Sequence, residues 1–175
     1  MVAPLLSVRN VRVGYGPITV IKGLDLDLAP GEVVAVTGSN GSGKSTLLRG
    51  LAGFQPMECS SFTISGQPAA PDSDLHRDVT YAVMDEWMWL RGMTVRDHFE
   101  VFHEESSLCD PEQALTEFGV LNLADRMPHS LSSGQLRRVT LASLLVRPWR
   151  ILFIDEPEQR LDEEYNKHQK HKNAG

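Results

Sequence analysis

The 175-residue sequence contains only two cysteines, Cys59 and Cys109, and they lie far apart. Because there is no C-x-x-C spacing, the sequence argues against a zinc site and a disulfide framework, and we expect the reduced thiols of a cytoplasmic protein. No apolar run approaches the roughly 18 residues of a membrane-spanning helix, and the N-terminus does not resemble a signal peptide. We therefore expect a chain that is neither secreted nor itself membrane-spanning.

Positive charge is also scarce, because 17 Lys and Arg residues are outnumbered by 23 Asp and Glu residues and the net charge is -6. Binding to the phosphate backbone of nucleic acids needs a basic surface, so we expect no nucleic-acid partner. The composition, with 41% apolar and 23% charged residues, is typical of a globular protein of one domain.

The most informative stretch fits the phosphate-binding pattern G-x-x-x-x-G-K-[ST], and we call it the phosphate loop: Gly38, Ser39, Asn40, Gly41, Ser42, Gly43, Lys44, Ser45 and Thr46. The apolar residues 32–37 predict a buried strand before the loop, and residues 46–52 predict a helix after it. Glycines let successive backbone N–H groups converge on an anion at a helix N-terminus. Lys44 adds positive charge for the outer phosphates of a nucleotide, and the Ser45 hydroxyl is a suitable ligand for Mg²⁺. The alternative is a glycine-rich turn that matches by chance.

Alternation of apolar and polar residues over 6–13 and again over 19–28 predicts an antiparallel pair of strands before the phosphate loop. Tyr15 lies between two glycines at the end of the first of these strands. Its ring is available either for stacking on a nucleotide base or for packing on its own sheet.

The second half of the chain begins with helical signals. Thr94 to Asp97 resembles a capping box, Asp110 before a proline is a second helix start, and the two helices predict a small helical subdomain. Ser132, Ser133, Gly134 and Gln135 then open an apolar-rich helix whose first turn leaves backbone donors for an anion. The aromatic run 87–90 lies upstream and is either core or an anchor for a partner helix.

Residues 150–154 predict a buried strand that ends in two adjacent carboxylates, Asp155 and Glu156. Ligands of open α/β sheets bind at the carboxyl ends of the strands. Asp155 is placed to hold Mg²⁺, and Glu156 is placed to orient and polarise an attacking water.

Taken together, these residues resemble the nucleotide-binding subunit of ABC transporters. GSNGSGKST resembles its Walker A, LSSGQ its signature sequence, ILFIDEP its Walker B with the following glutamate, and EQRLD its D-loop. The resemblance implies an α/β P-loop NTPase core of the ABC type with an antiparallel β subdomain and a small helical subdomain. It places the nucleotide-binding domain at residues 1–162, the helical subdomain at about 86–147, and a polar tail at 163–175.

The resemblance also implies ATP and Mg²⁺ as ligands, with Tyr15 stacking on the adenine. In a homo- or heterodimer, Ser132, Ser133, Gly134 and Gln135 would approach the ATP held by the other subunit. Hydrolysis would drive a transmembrane transporter subunit, which would hold the chain at the cytoplasmic face of the membrane. Two alternatives stay open: a catalytically silent or decayed nucleotide-binding module that lacks the switch histidine, and a soluble ABC ATPase without a transport role.

The sequence departs from the family pattern at three places. Ser133 replaces a glycine of the signature, and Met84 or Asp85 occupies the position of the Q-loop glutamine, where we favour Asp85 because it can still serve a metal. The family's strand with the switch histidine has no counterpart, since residues 163–175 are polar and their two histidines suit a solvated tail better than a metal site. We therefore expect a chain that is C-terminally truncated, with an open seam between the Walker A and Walker B strands. We expect ATP binding that is weak at best and ATP turnover far below that of a complete subunit.

Overall fold

The computed structural model of the chain describes residues 3–84 and 89–155. Its elements in chain order are β1 (Leu6–Tyr15), β2 (Ile18–Leu28), α1 (Lys44–Leu51), β3 (Met57–Glu58), β4 (Ser61–Ile64), β5 (Gln67–Pro68), α2 (Asp74–Val79), β6 (Thr80–Val83), α3 (Val95–Phe102), α4 (Pro111–Glu117), α5 (Ser133–Val146) and β7 (Ile151–Ile154). Two single turns of 3₁₀ helix lie between α4 and α5. The described residues divide into two compact units, which we call the sheet unit (residues 3–84 and 149–155) and the helical unit (residues 89–148).

The sheet unit is built around β1. The antiparallel sheet has the order β2-β1-β4-β5, and β3 pairs with the distal part of β1. The predicted antiparallel pair is confirmed as the β1–β2 hairpin, in which Leu6 stands opposite Leu28 and Tyr15 opposite Ile18. Alternate β1 side chains are buried on each side of a register irregularity between Val8 and Val11: Leu6 and Val8 before it, and Val11 and Val13 after it.

A second sheet in the same unit consists of β6 and β7, which run parallel. Val83 stands opposite Ile154, and the Asp155 N–H donates to the Val83 carbonyl at 2.9 Å. The apolar side chains of β7 enter the same core as those of α1, since Ile151 and Phe153 are buried with Leu47 and Leu51. The carboxyl end of β7, with Asp155, is thereby fixed on the core that also carries the phosphate loop.

The prediction of a buried strand at residues 32–37 is wrong for the structure. The segment forms no strand and pairs with no strand of the described residues, and Val33 is 93% exposed. A strand needs a neighbour to satisfy its backbone groups, and here neither β6 nor β7 lies beside it in a ladder. The exposed side chains of Val33 and Val34, and the lack of a ladder to any described strand, are what an open seam beside the phosphate loop would show.

The helical unit has its own core, formed where α5 packs against α3 and α4. Its buried members are Val95, Phe99, Ala114, Leu115, Val120, Leu123, Ala124, Val139, Ala142 and Val146. The predicted capping box is present at the start of α3, because Thr94 caps the Asp97 N–H and the Asp97 carboxylate accepts from the Thr94 N–H at 2.7 Å. Asp110 likewise caps α4. Both helix starts are therefore fixed by capping residues that lie close by in the sequence.

Helix α2, which no pattern in the sequence predicts, places His76 in the core of the sheet unit. The ring is 1% exposed, its Nε2 lies 2.9 Å from the Leu51 carbonyl, and its Nδ1 accepts from the Asp72 N–H at 3.3 Å. This pairing requires a neutral ring with the proton on Nε2. Burial lowers the pKa of His76, with the Leu51 carbonyl and Asp72 opposing that shift and Arg77 adding to it.

Within the described residues no helix is both long and apolar enough to cross a membrane.

The first prediction concerns residues 33–37. Because their amides have no strand partner, we expect them to exchange with solvent at least about 100-fold faster than the amides of β1. Hydrogen exchange followed by mass spectrometry measures both segments in one experiment. Protection of residues 33–37 equal to that of β1 would show that this segment is paired in solution and would contradict the open seam.

The second prediction concerns the pH dependence of stability. Because the folded pKa of His76 lies below its ordinary value of 6.5, the unfolded chain takes up a proton first as the pH falls. The free energy of unfolding should therefore fall below about pH 6.5, by at most about 1.4 kcal/mol at pH 5.5. In His76→Gln, which retains a donor for the Leu51 carbonyl but does not titrate, this loss should be smaller.

Urea unfolding at several pH values measures the effect. The matched control is His129→Gln, which makes the same substitution at an exposed histidine. An equal decline with pH in the wild type and in His76→Gln would rule out His76 as its source.

Candidate functional site

The phosphate loop owes its shape to glycines in left-handed backbone conformations. The φ angle is 78° at Gly41 and 98° at Gly43, where a side chain is strained, and a Cβ on Gly38 would lie 2.7 Å from the Ser42 Oγ. Within the loop the Ser42 N–H donates to the Ser39 carbonyl at 3.1 Å. The predicted glycine positions are thus those at which the turn excludes or strains a side chain.

No side chain caps the N-terminus of α1. Gly43 occupies the N-cap position without a side-chain hydrogen bond, and the first turn contains no acidic residue. The first N–H groups of the helix therefore have no side-chain acceptor, and the helix dipole adds positive potential at the same point. An anion is the natural partner for such a helix end.

Lys44 folds back across the phosphate loop. Its Nζ donates to the carbonyl of Gly38 at 3.0 Å and to the carbonyl of Ser39 at 3.1 Å. Both partners are neutral, and hydrogen bonds between a cation and an anion are roughly twice as strong as neutral ones. The ammonium group is therefore held over the loop. A phosphate would form a stronger hydrogen bond with it than the two carbonyl groups do.

Tyr15 reaches the phosphate loop from the tip of the β1–β2 hairpin. Its hydroxyl lies 3.2 Å from the Thr46 Oγ1, and the residue is 54% exposed. Thr46 itself is buried in the first turn of α1. The structure thus brings Tyr15, the aromatic residue that the sequence suggests for base stacking, to one end of the phosphate loop. Much of the Tyr15 side chain stays accessible there.

Val20 and Ile21 of β2 form a wall behind the loop that the sequence pattern does not identify. A Cβ on Gly43 would lie 2.4 Å from the Val20 Cγ1 and 3.1 Å from the Ile21 Cδ1. Strand alternation marks these residues only as members of β2, because contacts between a strand and a loop more than 20 positions away leave no local signal.

Asp155 is the buried carboxylate at the carboxyl end of β7. The residue is 3% exposed, and its Oδ2 is buried without a hydrogen-bond partner among the described residues. A buried charged oxygen without a partner is costly, and a divalent cation is one group that would satisfy it. Ser45, the other predicted metal ligand of the described chain, lies half-buried in the first turn of α1 in the same unit.

The signature residues open α5 in the helical unit. Ser132 accepts from the Gln135 N–H at 3.3 Å, and the Gln135 Oε1 accepts from the Ser132 N–H at 3.0 Å, so the two side chains form a capping box. The Gln135 amide oxygen and backbone N–H are therefore engaged within the chain. The backbone N–H groups of Ser133 and Gly134, which the sequence predicts to face an anion, take no part in this capping box.

Two predicted site residues, Asp85 and Glu156, lie outside the described residues, as do Trp87 and Met88. Met84 is buried in the core of the sheet unit. Trp89 packs in the core of the helical unit with its ring 4.9 Å from that of His98, whereas Leu90 is 57% exposed. Trp89 thus packs against the core, and among the described residues of the run only Leu90 is exposed, while Trp87 and Met88 are not described.

Comparison with known proteins identifies the family. The sequence matches the profile of the ABC transporter family over residues 21–159. The chain belongs to the ABC transporter family. The matched range includes the phosphate loop, the signature residues and Asp155, and the P-loop NTPase fold of the ABC type predicted from the sequence is confirmed.

Relatives include the aliphatic sulfonates import ATP-binding protein SsuB 2 of Pseudomonas savastanoi, which is 36% identical over 92% of this chain and 56% of that protein. The sn-glycerol-3-phosphate import ATP-binding protein UgpC of Cereibacter sphaeroides is 34% identical over 90% of this chain and 46% of that protein. The chain thus spans about half the length of the curated relatives it matches. A solved ABC transporter ATP-binding protein from Pyrococcus furiosus superimposes with a TM-score of 0.72 and 25% identity, over 93% of this chain and 80% of that one.

The third prediction compares two glycines of the phosphate loop. Alanine at either Gly41 or Gly43 is strained by a positive φ, but only at Gly43 would the Cβ collide with β2, since nothing lies within 4 Å at Gly41. We expect Gly43→Ala to lower the free energy of unfolding by about 1–3 kcal/mol more than Gly41→Ala. Denaturant unfolding of both variants measures the difference, and equal stabilities would show that the loop does not pack on Val20 and Ile21 in solution.

Proposed function

We propose that this chain is the ATP-binding subunit of an ABC import system, and that it couples the binding and hydrolysis of ATP to a transmembrane partner. The observation that carries the proposal is the uncapped N-terminus of α1 behind left-handed glycines, with the Lys44 ammonium held across the loop. This arrangement collects backbone donors, a helix dipole and a full positive charge around one anion-sized position. Family membership and the names of the relatives specify which anion to expect, the triphosphate of ATP.

The candidate site residues of the sheet unit have distinct roles in this proposal. Lys44 and the N–H groups of residues 39–46 hold the phosphates, and Tyr15, accessible at the hairpin tip, stacks on the adenine. Ser45 and Asp155 hold Mg²⁺, which neutralises charge on the phosphates when it is bound. The unpartnered Oδ2 of Asp155 supports this assignment, because a cation would satisfy a buried oxygen that no described donor reaches.

The remaining assignments rest on the family alone. Glu156 would orient water, and Asp85 would serve as a further metal ligand. Ser132, Ser133, Gly134 and Gln135 would face the ATP of a second subunit in a homo- or heterodimer. The capping box engages the Gln135 amide oxygen and backbone N–H, so the side-chain Nε2 would be the Gln135 donor that faces the ATP. Residues 1–162 would form the nucleotide-binding domain, with the helical subdomain at about 86–147.

The membrane partner and cargo are a separate part of the proposal. A transmembrane subunit would hold the chain at the inner face of the membrane, and we expect no nucleic acid in the complex. The relatives' names cover organic sulfonates and glycerol phosphate. Because such different cargoes share one kind of ATP-binding subunit, the cargo is a property of the partner and not of the residues described here.

One observation favours a second candidate, a module that binds nucleotide without turning it over. Residues 32–37 precede the phosphate loop and pair with no strand of the described chain, and all of them except the half-buried Val36 are exposed. A loop that is supported from one side still has its backbone donors but holds them less firmly. Because catalysis depends more strongly on exact positioning than binding does, such a loop would lose turnover before it loses binding.

The fourth prediction separates the two candidates. Steady-state ATP hydrolysis is measured with Mg²⁺ for the wild type, Lys44→Ala and Glu156→Gln, together with ATP affinity by calorimetry. The proposed subunit should bind ATP, and Lys44→Ala should weaken binding, since it removes the charge next to the phosphates. Turnover of about 1–100 s⁻¹ that both substitutions abolish would identify a complete ATPase.

Other outcomes are equally specific. Binding that depends on Lys44, with turnover far below that range, would establish the silent module. If the wild type does not bind ATP, or if Lys44→Ala binds it equally well, the nucleotide-binding function itself is wrong. Gln67→Ala is a suitable control for the handling of the variants, because Gln67 is exposed on β5 away from the phosphate loop.

A further inference from the structure

The tip of the β1–β2 hairpin carries Tyr15 but has little packing of its own. The strands are joined by a turn at residues 16–17, and Ile18, which stands opposite Tyr15, is 66% exposed. An exposed two-stranded tip is marginally stable by itself. The position of Tyr15 therefore depends on contacts that tie this tip to the rest of the sheet unit.

One such contact is a side-chain hydrogen bond at the place where the β1–β3 ladder ends. Met57 pairs with Val13, and continuing that register places Pro56 opposite Gly14. Proline has no N–H to donate. The Gly14 carbonyl instead accepts from the side-chain Nε2 of Gln55 at 3.1 Å. The half-buried Gln55 thus extends the ladder by one bond, next to Tyr15.

Gln55 is itself held by the C-terminal end of α1. Gly53 has a φ of 81° and donates to the Gly50 carbonyl at 3.2 Å, and the Phe54 N–H donates to the Arg49 carbonyl at 2.8 Å. These two bonds are those of a Schellman motif, which fixes the direction in which the chain leaves the helix. Gln55 follows directly, so its backbone position is set by the helix that begins at the phosphate loop.

We propose that Gln55 is a positioning residue for nucleotide binding, which fixes the hairpin tip and with it the Tyr15 ring relative to the phosphate loop. The inference rests on the proposed binding of ATP with Tyr15 against the adenine. The hairpin tip is tied to both ends of α1, through Tyr15 and Thr46 at the N-terminal end and through Gly14 and Gln55 at the C-terminal end. A ring held in place before binding avoids the loss of freedom that an untethered ring would suffer.

The test is a comparison of two ligands in the full 175-residue chain. Gln55→Met keeps the length and neutrality of the side chain but removes the donor to the Gly14 carbonyl. The ATP affinity should fall about 2- to 10-fold, the equivalent of one neutral hydrogen bond. Affinity for inorganic tripolyphosphate, which has no base to stack, should stay within about 2-fold of the wild type. Calorimetry with Mg²⁺ measures both ligands.

The matched control is Gln67→Met, which makes the same chemical change on the exposed strand β5 and should alter neither affinity. Hydrogen exchange without ligand supplies a second readout, in which the amides of residues 14–18 should exchange faster in Gln55→Met than in the wild type. This readout tests the tether whether or not nucleotide binds.

The results that would overturn the inference are distinct from those that would overturn the proposed function. Unchanged ATP affinity in Gln55→Met, or an equal loss for ATP and tripolyphosphate, would show that Gln55 does not act through the base site. Unchanged exchange at residues 14–18 would show that the hydrogen bond does not hold the tip. A wild type that binds neither ligand would instead overturn the nucleotide-binding function and the role of Gln55 along with it.

Discussion

The packing of α1 against the β1–β2 hairpin is the contact on which the phosphate loop depends. A Cβ on Gly50 would lie 3.0 Å from the Val13 side chain, and one on Gly43 would overlap Val20 of β2. Glycine at both points lets the helix lie close against the sheet. Because the loop leads directly into α1, this contact sets where the first backbone donors and the Lys44 ammonium lie. The candidate site is therefore braced from its C-terminal side by the antiparallel sheet.

On its N-terminal side the loop has no comparable support. Residues 32–37 form no ladder with the described strands, and Val33 is almost fully exposed. A β-branched apolar segment favours a strand only when a neighbour covers its faces and satisfies its backbone. The consequence is an asymmetric site, in which the backbone donors and the Lys44 ammonium proposed to bind phosphate are braced by β2 on one side and by no described strand on the other. Binding and turnover are separable properties in such a site.

Buried polar groups distinguish structural from functional positions in this molecule. His98 is fully satisfied, since its Nε2 accepts from the Leu90 N–H at 2.8 Å and its Nδ1 lies 2.7 Å from the Thr94 carbonyl. His76 is satisfied in the same way between Leu51 and Asp72. Asp155 is as deeply buried, yet its Oδ2 has no partner within the described chain. The two histidines hold their units together, whereas the carboxylate is left with capacity for a ligand.

The sequence alone determined the features that depend on near neighbours: the glycines of the phosphate loop, the capping box of α3, the alternating strands β1 and β2, and the family to which the chain belongs. It did not determine the contact of Val20 and Ile21 with Gly43 or the bond from Gln55 to Gly14, because each joins residues that no periodic pattern connects. It also missed helix α2, because six residues are too few to show a helical period. The strand predicted at residues 32–37 failed for the same reason. Its propensity is local, but a strand also needs a partner, and only the tertiary structure decided that the described chain supplies none.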